Sequence, residues 1–417
     1  MSGIVVQKFG GSSLADADRI RHVAGRVATE REKGTDLVIV VSAMGDTTDD
    51  LLALAAAITD DPDPRELDLL LATGEHISGT LLAMALQARG TPAISLTGAQ
   101  AGIRTDPSHG RARIANVEPT RVRAEMERGR VVIVAGFQGS TDESAVLAET
   151  TTLGRGGSDT TAVALAARLA AERCEIFTDV DGIYTADPRV VPDARLLPTI
   201  GYEEMLELAG QGAQVMQARA VELGWVNGVE IAVRSTFSDH PGTLIREERD
   251  LEQLNKVRGV ATERNTAKVT ILAVPDRPGV ARTIFEPLAD EGINIDVVVQ
   301  NVSHQGTTDV SFTVNATDLA RARRALEPVV AELGSEGLSS DAKVAKVSIV
   351  GAGIRSTAGI AARMFGTLAD AGINIEMISM SDIRITCIIA EPQVEAAARA
   401  LHAAFQLEQP EPVVEGG

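Results

Sequence analysis

Through the first 245 residues or so, short β-branched apolar runs alternate with longer stretches of helical periodicity. The runs at 4–7, 37–41, 93–96, 131–135, 175–178 and 230–233 read as strands, each too short for a helix and rich in Val, Ile and Thr. Between several of them lie Ala-, Leu- and Arg-rich stretches at 20–33, 67–89 and 160–173, whose apolar residues recur at helical spacing. Alternating strand and helix predicts a mostly parallel sheet covered on both faces. Such sheets bind ligands in the loops at the carboxyl ends of their strands. The stretch 246–256 is charged and carries no core pattern, which suits a linker.

Beyond it the pattern repeats. Ile271-Leu272-Ala273-Val274 leads to Pro278-Gly279-Val280 and then to Gly292-Ile293-Asn294-Ile295-Asp296. Val347-Ser348-Ile349-Val350 leads to Ala358-Gly359-Ile360 and then to Gly372-Ile373-Asn374-Ile375-Glu376. Gly279 matches Gly359 and Asn294 matches Asn374 at one common offset. Two landmarks at the same offset mark an internal repeat. Each unit reads strand, turn, helix, strand, strand, helix, a split βαβ pattern on an antiparallel sheet.

Composition narrows the function. The 417 residues suffice for two to four domains. Lys and Arg total 39 against 58 Asp and Glu, a net charge of −19, and this repels phosphate backbones and anionic lipid. Nucleic-acid and membrane partners are therefore not expected. No apolar run reaches the roughly 18 residues that span a bilayer, and the N-terminus reads directly as a strand rather than as a leader. Cys174 and Cys387 each sit in an apolar run, which suits reduced, buried thiols in a cytoplasmic protein. The six histidines show no metal-ligand spacing, so no protein-held metal is expected.

Four motifs carry chemistry. Lys8-Phe9-Gly10-Gly11-Ser12-Ser13 follows the first strand and precedes a helix. Its glycines let backbone N–H groups approach a phosphate, Ser12 or Ser13 can cap the helix, and Lys8 supplies a point charge. Thr152-Leu153-Gly154-Arg155-Gly156-Gly157-Ser158-Asp159 runs into an Ala-rich helix and adds Arg155, whose planar fork matches a carboxylate. Asp159 can cap that helix or orient Lys8. Thr73-Gly74-Glu75-His76 offers Glu75, either a surface glutamate or a partner for a substrate ammonium. Phe177-Thr178-Asp179-Val180-Asp181-Gly182-Ile183-Tyr184-Thr185-Ala186-Asp187-Pro188-Arg189 is a polar loop after a strand, suited to a ribose and an adenine edge. Gly351-Ala352-Gly353-Ile354-Arg355-Ser356 imitates a dinucleotide fingerprint, but it ends in Ser and lies inside the repeat. P-loop and protein-kinase motifs are absent.

Together with Ser42-Ala43-Met44-Gly45-Asp46-Thr47, these motifs resemble the amino-acid kinase family, and within it the aspartate kinases. The repeat resembles tandem ACT domains, small-molecule sensors that usually bind amino acids. The resemblance covers nearly the whole chain. It implies an α/β catalytic domain over 1–245 with a mostly parallel sheet sandwiched by helices. Two α+β ferredoxin-like sensor domains would follow, one at 264–340 and one built from 257–263 with 341–407. A tail would run from 408 to 417. The implied activity is ATP-dependent phosphorylation of the side-chain carboxylate of L-aspartate, at the head of lysine, threonine and methionine biosynthesis.

The same resemblance assigns roles. Lys8 and Asp159 would be catalytic. Thr47, Glu75, Arg155, Gly156, Gly157 and Ser158 would hold aspartate. Lys8, Phe9, Gly10, Gly11, Ser42, Thr178, Asp179, Tyr184 and Arg189 would line the nucleotide site. Mg²⁺ would sit mainly on the ATP phosphates. Asn294, Ile295, Asp296, Gln300, Asn374, Ile375, Ser381 and Asp382 would bind lysine or threonine as effectors. ACT units pair edge to edge, which implies at least a homodimer, or assembly with a separate regulatory chain.

Many relatives carry His-Pro where this chain has Gln217-Ala218, a change expected to lie away from the motifs, and again where it has Thr357-Ala358, at a sensor turn. Met380, between Ser379 and Ser381, is a further departure. Two other readings stand beside the leading one: a kinase for another amino-acid carboxylate, and a pure sensor whose kinase half has decayed.

Overall fold

The strand Ile4–Phe9 lies inside an eight-stranded sheet, hydrogen-bonded to Asp36–Val41 on one side and Arg173–Thr178 on the other. These coordinates are a computed structural model that describes residues 3–141, 147–212, 215–247, 256–301 and 306–410. The full order is Thr199–Gly201, Thr243–Arg246, Ile231–Ser235, Arg173–Thr178, Ile4–Phe9, Asp36–Val41, Val131–Ala135, Ala93–Leu96. The six strands from Ile231–Ser235 to Ala93–Leu96 run parallel, while Thr243–Arg246 runs antiparallel to Ile231–Ser235 and carries the edge strand Thr199–Gly201 parallel to itself. Leu37, Val38, Ile39, Val40 and Val41 are all buried, as a strand covered on both faces requires. The register pairs Lys8 with Val40 and Ile176, and Phe9 with Val41 and Phe177, so the loops after the central strands leave one sheet edge together. Successive connections diverge from Ile4–Phe9, the switch point where ligands of open α/β sheets bind.

All six predicted strands are present, several extended by a residue or two. The 67–89 helix is two helices, Pro64–Leu71 and Thr73–Ala88, separated at Ala72. This stretch is long and apolar enough to cross a membrane by length and composition alone, yet Leu71, Leu82 and Leu86 are buried in the core. A second sheet escaped the sequence reading: Ile114–Val117, Ile103–Thr105, Gln138–Thr141 and Thr150–Thr152, in that order. Its strands are three or four residues long and Thr-rich, below the length at which alternation can register.

Packing divides the chain into two units. The first is Met1–Ile183 with Leu196–Ala209 and Gln214–Arg249, and the second is Tyr184–Arg195 with Gly210–Ala213 and Asp250–Gly417. The sequence reading gave 1–245 to one body, whereas Tyr184–Arg195 packs with the second. Ala186 and Val191 are buried in a core with Val260, Ile354, Leu401 and Leu407. Val260 N donates to Thr185 O at 2.7 Å, and Thr185 Oγ1 lies 2.9 Å from His402 Nε2. The expected linker lies mostly on 248–255, outside the described residues, as does the tail from 411.

The second unit is one antiparallel sheet ordered Ile295–Gln300, Thr307–Val314, Gly259–Pro275, Gly337–Val350, Arg384–Ala390, Met377–Met380. The repeat is legible in it. Gly279 and Gly359 both precede a helix with positive φ, +97° and +93°. Val280, Ile284, Leu288 and Ile293 are buried in one core, and their counterparts Ile360, Met364, Leu368 and Ile373 in another. The first five residues of the long strand Gly259–Pro275 pair with Lys346–Val350, and its later part with 337–344.

Candidate active site

Lys8 stands on the central strand with its Nζ 2.7 Å from Asp159 Oδ1, and both side chains are largely shielded from water. Asp159 lies in the first turn of the helix Gly157–Leu169, so the carboxylate meets both the ammonium and the positive helix end. It does not cap the helix: the N-cap is Gly156, which makes no side-chain cap bond. The open alternatives for Asp159 thus resolve toward orienting Lys8. Ser12 and Ser13 do not cap either. Gly11–Leu14 forms a short 3₁₀ turn, and Asp16 caps the helix Ala17–Glu32 through bonds of 2.9 Å from Asp18 N and Arg19 N. Ser13 instead lies 2.6 Å from Thr236 Oγ1, fully buried.

Backbone stitches hold the loops at the sheet edge. Gly10 N donates to Phe177 O, Ser42 N to Phe9 O, and Gly45 N to Gly11 O, each at 3.1 Å. A Cβ on Gly11 would stand 2.9 Å from Ala43 O, so only glycine allows that approach. Phe9 and Phe177 stack at 4.8 Å beneath these loops.

Glu75 is buried rather than on the surface, 3% exposed in the first turn of Thr73–Ala88. Its Oε1 accepts from Ala43 N at 3.0 Å, while Oε2 has no hydrogen-bond partner among the described residues. Burial pushes its carboxyl up to about 7, against the pull of the Ala43 N–H. The neighbouring Ser78 Oγ donates to Ser42 O at 2.7 Å, and Thr47 Oγ1 donates to Met44 O at 2.6 Å. The Glu75 helix and the Ser42–Thr47 loop are thereby locked together.

In the second glycine-rich loop, Ser158 is buried, with its Oγ 2.8 Å from where a Cβ on Gly136 would stand. Gly157 is buried as well, whereas Arg155 is exposed and has no hydrogen bond or ion pair to another described residue. A reaching guanidinium beside a helix N-terminus suits an anionic ligand. The expectation for Gln217 is corrected here. It lies against this loop, its Cγ 1.5 Å from where a Cβ on Gly156 would stand. Gly156 also holds φ +68°. Gly156→Ala therefore forces both a left-handed alanine and a displaced Gln217. The expected result is a loss of about 1–2 kcal/mol in chemical denaturation, and an unchanged midpoint would contradict it.

Of the remaining residues expected at a nucleotide site, Thr178 Oγ1 donates to Asp179 Oδ1 at 3.1 Å, and Thr236 N donates to Thr178 O at 2.9 Å. Tyr184 and Arg189 belong to the second packing unit, where Arg189 meets Asp187 at 2.8 Å. The effector candidates divide between the two edges of the second sheet. Asn294, Ile295, Asp296 and Gln300 lie at Ile295–Gln300, and Asn374, Ile375, Ser381 and Asp382 flank Met377–Met380. Asp296 is paired with Lys346, and Asp382 with Arg355 at 2.6 Å. Lys268 pairs with Glu376, so each repeat sends a lysine to an acidic residue of the other.

Sequence reasoning missed Asp68. This carboxylate is 1% exposed and accepts from Gly110 N, Thr152 N and the Thr152 hydroxyl, with His109 Nδ1 at 2.9 Å. The available signal was a lone carboxylate among leucines, Leu67-Asp68-Leu69-Leu70-Leu71, in a helix whose apolar face must be buried.

Comparison with known proteins places the chain in a family. Residues 3–235 match the model of the amino acid kinase family, and 268–331 and 347–405 match ACT domain models. The chain is 50% identical over 409 residues to an aspartate kinase of Pseudomonas putida, covering 98% of each. It is 50% identical over 409 residues to an aspartokinase of Corynebacterium glutamicum, covering 97% of this chain and 96% of that one. Its fold matches E. coli aspartokinase III in complex with aspartate and ADP at a TM-score of 0.80, with 26% identity, over 96% of this chain and 99% of that one. The lysine and aspartate complex of the same enzyme matches at 0.74, again with 26% identity and the same coverage.

Proposed function

Because this chain belongs to the amino acid kinase family, and within it to the aspartate kinases with paired ACT domains, we propose that it transfers the γ-phosphoryl group of ATP to the side-chain carboxylate of L-aspartate, giving 4-phospho-L-aspartate. The observation that carries this reading is the Lys8–Asp159 pair at the carboxyl end of the central strand. Both reactants are anions, so the work of the site is to align them and neutralise charge. Lys8 stabilises negative charge spreading over the transferred group, together with the backbone N–H of Gly11. Asp159 fixes the position of the Lys8 ammonium in a shielded setting. Arg155 and Ser158, with Gly156 and Gly157, hold the carboxylates of aspartate. Glu75 receives its ammonium at the unpartnered Oε2, and Thr47 closes the same side. Ser42, Thr178 and Asp179 serve the nucleotide.

The donor set of one lysine, hydroxyls and backbone N–H groups suits an anion. Among the described residues no three His, Cys, Asp or Glu side chains gather to hold a metal. On this reading Mg²⁺ arrives on the nucleotide phosphates and neutralises part of their charge.

The paired sensor repeats support feedback by lysine, threonine or both through the edge-strand residues named above. They also support a homo-oligomer or assembly with a separate regulatory chain, and a cytoplasmic place at the head of lysine, threonine and methionine synthesis. The test is ATP turnover with L-aspartate, trapping the acyl phosphate as hydroxamate, with and without lysine plus threonine. Aspartate-dependent hydroxamate suppressed by the amino acids is expected. Turnover with a different amino-acid carboxylate, or none, overturns the substrate reading.

A further inference from the structure

We infer that Asp68 is a positioning residue for the aspartate-side loop, setting where Arg155 and Ser158 stand without touching the substrate. The inference rests on the reading above, in which those residues hold aspartate.

Asp68 lies in the helix Pro64–Leu71, far in sequence from the loop it governs. Its carboxylate is the common acceptor for two separate segments. Gly110 N reaches both of its oxygens at 3.0 Å, Thr152 N reaches Oδ2 at 3.0 Å, the Thr152 hydroxyl reaches Oδ1, and His109 Nδ1 stands 2.9 Å from Oδ2. A carboxylate only accepts, so it can satisfy all of these donors at once, whereas a neutral amide cannot. A carboxylate so deeply buried is costly unless its hydrogen bonds are made, and here they tie the turn at His109 and Gly110 to Thr152, at the base of the glycine-rich loop.

From that base the geometry propagates. Ala112 N donates to Thr152 O at 2.8 Å, and Leu153 N to Phe137 O at 2.8 Å. Arg219 clamps the same two segments from the other side, donating to Leu153 O at 3.1 Å and Ala112 O at 2.9 Å. Gly154 follows at φ +76°, a Cβ on it standing 3.2 Å from Gly110 O. Gly157 N then donates to Gly154 O at 2.9 Å and opens the helix that carries Ser158 and Asp159. Arg155 has no partner of its own among the described residues, so its position depends on this framework.

The test compares Asp68→Asn with Arg155→Ala, measuring kcat, the KM for aspartate, the KM for ATP and the melting temperature. In Asp68→Asn one oxygen becomes an amide N–H₂ facing N–H donors. The KM for aspartate should rise about tenfold or more, with the KM for ATP within about twofold, as misplacement of one substrate's holder predicts. A lowered melting temperature with both KM values unchanged would assign Asp68 a purely structural role and overturn the inference. If Arg155→Ala itself leaves the KM for aspartate unchanged, the reading of the loop fails rather than that of Asp68. Should Asp68→Asn not fold, Thr152→Val decides. It removes one hydroxyl donor to Asp68 at nearly constant shape and should raise the KM for aspartate about threefold or more. An unchanged value there overturns the inference.

Discussion

Lys8→Ala is expected to lower kcat about 10²–10³-fold with far smaller changes in either KM, since the lysine acts on charge that develops during transfer. The ammonium is held 2.7 Å from Asp159 and cannot wander, so its field is aimed before substrate arrives. Alanine removes that charge and strands a shielded carboxylate at the helix end. Leaving one partner of a shielded pair is destabilising, so kcat must be measured on folded enzyme. The double variant Lys8→Ala with Asp159→Asn removes the stranded charge. It should recover stability without recovering turnover. Near-normal turnover in Lys8→Ala would remove the lysine from the mechanism.

Glu75→Gln is expected to raise the KM for aspartate about 10–100-fold, the worth of a hydrogen bond to a charged group. It should also erase a pH dependence. With its carboxyl near 7 in the free enzyme, Glu75 is largely protonated at pH 6, and binding an ammonium must then expel the proton. kcat/KM for aspartate should therefore climb between pH 6 and about 7 and level off above. A flat profile, or a glutamine variant with the same inflection, would exclude this role. Stability follows the opposite course. The folded-state value lies above the ordinary 4.5, so the unfolded chain releases this proton first. The protonated carboxyl costs little at low pH. As pH rises from about 4.5 to 7 the burial penalty grows to about 3 kcal/mol and then stays constant. Substrate relieves that penalty, which ties tight binding to a destabilised free site.

The strands, the repeat and the glycine loops were legible in the sequence because each is a local pattern, set by alternation, period or glycine spacing. Glu75 was legible as a residue but not as a buried one. Its environment comes from Ala43, thirty-two positions upstream. Asp68 and the four-stranded sheet around it were not legible, since strands of three or four residues gain their identity from partners remote in sequence. Gln217 was placed away from the site for the same reason. Only the fold brings it onto Gly156.

The segment Tyr184–Arg195 buries Ala186 and Val191 among residues near the other end of the chain. During synthesis it therefore emerges long before its covering exists. Leu401 and Leu407 lie about two hundred residues downstream, a delay on the order of ten to forty seconds on the ribosome. For that interval the first unit can close around Ile183 and Leu197, which are bonded to each other, while Ala186 and Val191 of the intervening loop stay bare. A nascent chain stalled before residue 400 should thus present this loop to chaperones and proteases. Cutting the gene after residue 247 would make that transient exposure permanent.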